Sequence, residues 1–141
     1  MSCPRIVIDT NVLVAGLRSR LGASYRLLEL IGTGRFTIAV SVPLVFEYET
    51  ALKRQSRSLG LTHQDVDDVL DYLCSEADCR EIFFLWRPVL RDPGDDAVLE
   101  IAVEAQCKYI VTHNISDFVG SDAFRLEAMR PGEFLRRIGA P

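Results

Sequence analysis

Asp9 stands at the end of three consecutive β-branched residues, Ile6, Val7 and Ile8, and is followed by the small polar pair Thr10 and Asn11 before the chain turns apolar again. Glu47 lies one turn into "VPLVFEYETALKR", a stretch with apolar residues at helical spacing. Asp95 and Asp96 open another such stretch, "DDAVLEIAVEAQ", and Asn114 and Asp117 follow the apolar run of "KYIVT". Each residue taken singly has an ordinary use: a helix cap, a partner for a helix dipole, a turn or a solvated surface acid. Together they suggest chemistry. Carboxylates aimed at one crevice repel one another unless they are protonated or neutralised by cations. Oxygen ligands without a Cys or His pattern suit Mg²⁺ or Mn²⁺ rather than zinc. Such a site lowers the pKa of bound water and stabilises the negative charge that develops on a phosphodiester.

The elements that must position these groups alternate. Residues 5–9 read as a buried strand, 12–17 as the start of a helix, and "SYRLLELIGTG" as a helix ending at Gly32 and Gly34. A second strand is expected over 35–41. A helix follows over 41–54, with Ser41 as cap and Pro43 in its first turn. Another helix spans 61–77, where Thr62 and Asp65 have capping-box spacing and Val66, Val69, Leu70 and Leu73 form the apolar face. Then come a third strand over 80–86, a helix over 95–106, strands over 108–112 and 125–129, and a last helix over 131–139. Strands alternating with helices predict an α/β fold with a parallel sheet covered on both faces. In open sheets of this kind, function collects beyond the carboxyl ends of the strands. Asp9, Asp96, Asn114, Asp117 and Glu47 all fall there.

The 141 residues suggest one domain, 1–141, with neither repeat nor low-complexity tract. No apolar run approaches the roughly 20 residues that cross a bilayer, and no basic and then apolar leader opens the chain, so a cytoplasmic protein is expected. The four cysteines, Cys3, Cys74, Cys79 and Cys107, include no CxxC pair and read as small buried thiols. The net charge of −4 hides an asymmetry. Residues 1–60 carry eight Lys/Arg and four Asp/Glu, a balance of +4, and residues 61–141 carry eight and sixteen, a balance of −8. The basic half suits a phosphate backbone, and the acids suit divalent metals.

With these residues in this order, the chain resembles a PIN domain, of the kind found in the toxin ribonucleases of VapC-type toxin–antitoxin modules. "VIDTNVLVAGL" resembles the family's opening motif, which implies Asp9 as the first metal-site acid and Asn11 as the residue orienting it. "VPLVFEYETAL" resembles the second element, with Glu47 as its acid. "DPGDDAVLEIAVEAQCKYIVTHNISDF" resembles the third and fourth. It makes Asp96 the third acid, with Asp95 the weaker candidate, and puts Thr112, Asn114 and Asp117 in the last motif. The chain departs from the pattern at Asn114, where many relatives carry an acid, and the Asn-x-x-Asp variant gives that charge to Asp117.

The resemblance implies a three-layer α/β/α sandwich around a parallel, roughly five-stranded sheet. It also implies Mg²⁺- or Mn²⁺-dependent RNA cleavage, a homodimer and an antitoxin partner. Arg18, Arg20, Arg26, Lys53, Arg54 and Arg57 are then candidates for contact with the RNA backbone. His113 lies beside the last motif and is given no catalytic role. Three alternatives stay open: a phosphatase of the haloacid-dehalogenase kind using Asp9 as nucleophile, a PIN-like module that binds RNA or protein without cutting, and a DNA-directed or structure-specific nuclease. The first lacks the usual second Asp two positions on, which here is Asn11. A dinucleotide-dependent dehydrogenase is excluded by the lack of a GxGxxG motif after a strand.

Overall fold

A computed structural model describes residues 3–81 and 93–140. Its centre is a five-stranded, wholly parallel sheet flanked by helices. The strands are β1 (Arg5–Ile8), β2 (Thr37–Val40), β3 (Asp78–Cys79), β4 (Tyr109–Val111) and β5 (Glu127–Met129), in the order β3-β2-β1-β4-β5. The helices are α1 (Thr10–Arg18), α2 (Ala23–Glu29), α3 (Val42–Arg54), the short α4 (Ser56–Leu59), α5 (His63–Glu76), α6 (Pro93–Glu104) and α7 (Pro131–Arg137). Two 3₁₀ turns, Ile115–Phe118 and Ser121–Phe124, link β4 to β5.

The inner strands are buried on consecutive residues rather than alternate ones. Ile6, Val7 and Ile8 in β1 and Tyr109, Ile110 and Val111 in β4 are all buried. That pattern belongs to a parallel sheet with both faces covered. Packing links α1 to α2 and α3, α2 to α7, and α3 to α5 and α6. Helix starts follow the local chemistry. The Ser41 hydroxyl accepts from Leu44 N at the head of α3. At α5, Thr62 and Asp65 close the expected capping box. Gly32 and Gly34, at φ +84° and +87°, carry the chain out of α2 through a region that side chains with a Cβ rarely enter.

The third strand differs from expectation. It pairs Asp78 with Ala39 and Cys79 with Val40, earlier than the predicted 80–86. Residues 82–86 of that expected strand lie outside the described residues. The pairing begins directly after α5, where the Arg5 guanidinium, at the start of β1, takes Asp78 at 3.2 Å. The thiols also differ: Cys107 is buried and Cys74 half-buried, but Cys3 and Cys79 are exposed. No described helix is long and apolar enough to cross a membrane.

The topology locates the site. From β1 the chain runs outward through β2 to β3, then returns to β4 on the other side of β1. The order reverses between β1 and β4, and open parallel sheets hold ligands at such a reversal, beyond the carboxyl ends of the strands.

Candidate active site

β1 and β4 pair Ile6 with Tyr109, Val7 with Ile110 and Ile8 with Val111. Continuing that register sets Asp9 level with Thr112, just past both strand ends. Asp9 N donates to Val111 O at 2.9 Å, and Thr112 N donates across to Met129 O at 2.9 Å. The Thr112 hydroxyl, wholly buried, donates to Asp9 Oδ2 at 2.7 Å. The Thr112 hydroxyl oxygen in turn accepts from Asn114 N at 3.0 Å. The other carboxylate oxygen of Asp9 accepts from Thr10 N at 2.8 Å. Asp9 therefore both caps α1 and presents a carboxylate held in one orientation from two strand ends.

Beneath it, Tyr48 of α3 donates its hydroxyl to Ile8 O. Burial holds this phenol above its usual pKa, and the nearby Asp9 charge adds to the effect. Tyr48 is therefore a neutral hydrogen-bond donor across the physiological range. It ties α3, and with it Glu47, to the end of β1.

Asn11 links two elements of the site. Its Oδ1 accepts from His113 N at 3.2 Å, which fastens the first turn of α1 to the loop after β4. His113 is half-buried, with Nε2 2.8 Å from Ser24 Oγ of α2. Its ring thus braces that loop against α2.

Beyond the strand ends opens a cavity of about 430 Å³. Among the described residues four carboxylates line it: Asp9 just past β1, Glu47 from α3, Asp95 from α6 and Asp117 from the first 3₁₀ turn. Thr10, Asn11 and Asn114 add neutral polar atoms, and Arg18 and Arg54 stand on the same wall. Arg18 is held by Gln55 Oε1 at 2.6 Å. Asp96 does not line the cavity. It is 8% exposed, and burial, with the Asp96 charge adding to it, holds the Glu100 carboxyl above the usual range. The geometry thus brings Asp95 to the wall and leaves Asp96 packed one residue behind it.

The six candidate cations divide. Arg18 and Arg54 line the cavity, and Arg20, Arg26 and Arg57 are exposed outside it. Lys53 is engaged elsewhere, at 3.2 Å from Glu49 and 3.1 Å from Asp67. Three participants escaped the sequence reading: Tyr48, Ser24 and Gln55. A core tyrosine one position from Glu47 is the only sequence signal for the first. The other two act through contacts that sequence spacing does not encode.

The donor set at the cavity is all oxygen, with neither thiol nor imidazole on the wall. Among the described residues no three acids, thiols or imidazoles are gathered closely enough to enclose an ion. Mg²⁺ does not need such a cage, since it keeps several waters and is commonly bound through one or two carboxylates. The residues fit a hydrated hard cation and do not fit zinc.

The sequence profile of the PIN domain matches residues 5–116. The chain belongs to the PIN domain family. Asp9, Glu47, Asp95, Asp96 and Asn114 of this PIN domain lie within the matched span, and Asp117 falls one residue beyond it. Among solved structures, a chain of the VapBC2 complex from Rickettsia felis, crystallised with a DNA fragment from its promoter, aligns with a TM-score of 0.60. The alignment covers 89% of this chain and 98% of that one at 18% identity, a likeness of fold. No curated protein matches the chain.

Proposed function

We propose that this PIN domain is a metal-dependent endoribonuclease that hydrolyses RNA phosphodiester bonds, and that it is the toxin of a toxin–antitoxin pair. One observation carries the reading: Asp9, Glu47, Asp95 and Asp117 share a cavity at the sheet's reversal point with Arg18 and Arg54. Carboxylates brought to one cavity destabilise one another. A divalent cation removes that cost, and the two arginines supply positive charge for a polyanion entering the same cavity.

In this reading Asp9, Glu47, Asp95 and Asp117 would hold Mg²⁺ or Mn²⁺ directly or through water, and Asp96, which the resemblance implies as the third acid, backs the wall one residue behind Asp95. Such a cation would supply an activated water and stabilise the negative charge that develops on the phosphodiester. Thr112 and Thr10 N fix the Asp9 carboxylate, so it does not reorganise as charge builds. Arg18, steadied by Gln55, and Arg54 orient the RNA backbone. Asn114 is neutral, and Asp117 provides the charge at the end of the last motif. The antitoxin partner is supported by the structural relative having been solved as a VapBC2 complex. A homodimer follows from the resemblance to VapC-type toxins.

The phosphatase alternative lacks a general acid. Its position is Asn11, whose side-chain oxygen is taken by His113 N. A non-cutting RNA-binding module is the second reading, favoured by the amide at Asn114 and by the lack of a tightly closed acid cluster among the described residues. The test is a mixed pool of single-stranded and structured RNA, incubated with purified protein in Mg²⁺, in Mn²⁺ and in EDTA, beside Asp9→Asn. Cleavage that needs metal and disappears in the variant is the expected result. RNA binding without cleavage in either metal overturns the ribonuclease reading in favour of the binding module.

A further inference from the structure

At the opposite end of the sheet, four cations surround a hollow of about 850 Å³. Arg5 opens β1, Arg35 precedes β2, Lys108 precedes β4, and Arg137 ends α7. Tyr109, Thr37 and the backbone turn at Gln106, with φ +54°, complete the wall. No described carboxylate lines it, in a chain whose net charge is −4.

The four cations are not equally engaged. Arg5 pairs with Asp78 at 3.2 Å and gives Nη1 to Ala105 O at 2.9 Å, yet its Nε is buried without a hydrogen-bond partner. Arg137 pairs with Glu127 and Glu133. Arg35 has only Ile138 O, at 2.9 Å. The Lys108 ammonium lies 5.4 Å from the Tyr109 ring centroid, and the Arg137 guanidinium lies 5.7 Å from it. Among the described residues neither Arg35 nor Lys108 has an acid partner. Arg35 and Lys108 thus bring charge to the hollow without an acid partner among the described residues, and a phosphate group is the ligand whose charge and oxygens answer their unused donors.

We propose that this hollow is a second, non-catalytic phosphate site, for either a free phosphate or nucleotide or a backbone phosphate of RNA. It opens at the amino ends of the strands, and Arg5 and Asp9 are separated by about 13 Å of β1 at the usual rise per residue. Phosphate held there is therefore not the scissile one. The site stands independently of the ribonuclease reading, because it shares no residue with the catalytic cavity.

The test is titration of the full chain in EDTA, where no metal-dependent turnover occurs. The probes are inorganic phosphate, a nucleoside monophosphate and a fluorescent single-stranded RNA. The proteins are the parent, Lys108→Glu and Arg35→Gln/Lys108→Gln, each with its melting curve. Phosphate is expected to bind the parent saturably and the double variant about tenfold more weakly or worse, since two charge-assisted contacts are lost. If RNA is the source, the variants also weaken RNA binding, and the salt slope falls by about 0.7 per lost phosphate contact. If RNA binding is unchanged while phosphate or nucleotide binding is lost, the site takes the free ligand. Absence of saturable binding to any probe, or equal binding by folded variants, overturns the proposal. Cleavage of a short RNA by the variants separates this outcome from failure of the ribonuclease reading.

Discussion

Replacing Thr112 with Val keeps the shape of a fully buried side chain and removes one hydroxyl. That hydroxyl donates to Asp9 Oδ2 at 2.7 Å and accepts from Asn114 N at 3.0 Å. The second loss is small, because Asn114 is exposed and water can replace the acceptor. The first is a hydrogen bond to a carboxylate that is 5% exposed, worth about 1.5–3 kcal/mol. For a chain of this length that corresponds to a fall in melting temperature of roughly 5–9 °C. Thr112→Ser keeps the hydroxyl and gives up one methyl, about 1 kcal/mol with its small cavity. Melting in metal-free buffer at pH 7 therefore separates the variants, Val well below Ser. Because Thr112 also orients Asp9, Mn²⁺ affinity should fall by about 10- to 100-fold in Val and stay near parental in Ser. Val melting within a degree of the parent, or Ser losing as much as Val, would refute the claim that the threonine hydroxyl organises the site.

Glu47→Gln removes one of four like charges, so its metal-free melting temperature should rise by about 1–3 °C while the stabilisation by Mn²⁺ shrinks. A saturating metal is itself expected to add about 2.7 kcal/mol at a hundredfold excess over Kd, read as a melting shift that EDTA reverses. Arg80 and Arg5 hold the Asp78 carboxyl below its ordinary 3.8, so its stabilisation is present above that pH and is lost as pH falls through the lowered value. The melting gap between parent and Asp78→Asn should accordingly be wide at pH 7 and narrow at pH 3; a gap that widens in acid refutes the assignment. Burial pushes the Cys107 thiol up to about 12, whereas Cys3 and Cys79 are exposed. A thiol reagent at pH 8 should therefore label Cys3 and Cys79 in the native protein and reach Cys107 only after unfolding.

Much of this architecture was legible because local chemistry and tertiary position agree. Three β-branched residues ending at Asp9, capping signals at Ser41 and Thr62, and glycines after α2 each fix an element without help from distant contacts. β3 was harder. Two residues paired to Ala39 and Val40 carry no apolar run, and an ion pair between Arg5 and Asp78 helps to set their register. The site was legible as a set of acids at strand and helix ends. Which neighbour faces the cavity was not, because Asp95 and Asp96 are adjacent and only the packed phase of α6 decides between them. Nor could spacing show that Asn11 serves the loop after β4, or that Lys53 is occupied by Asp67. Those are long-range pairings between residues that are unremarkable singly.

Whether the acids beyond β1 and β4 bind a hard divalent cation can be settled without knowing the RNA. The most direct measurement is a Mn²⁺ titration followed by the electron paramagnetic resonance of the free ion, on the parent and on Asp9→Asn. Saturable binding by the parent, weakened at least tenfold in a folded Asp9→Asn, is the result the account predicts. Equal binding by both proteins, or no saturable binding by the parent, contradicts it.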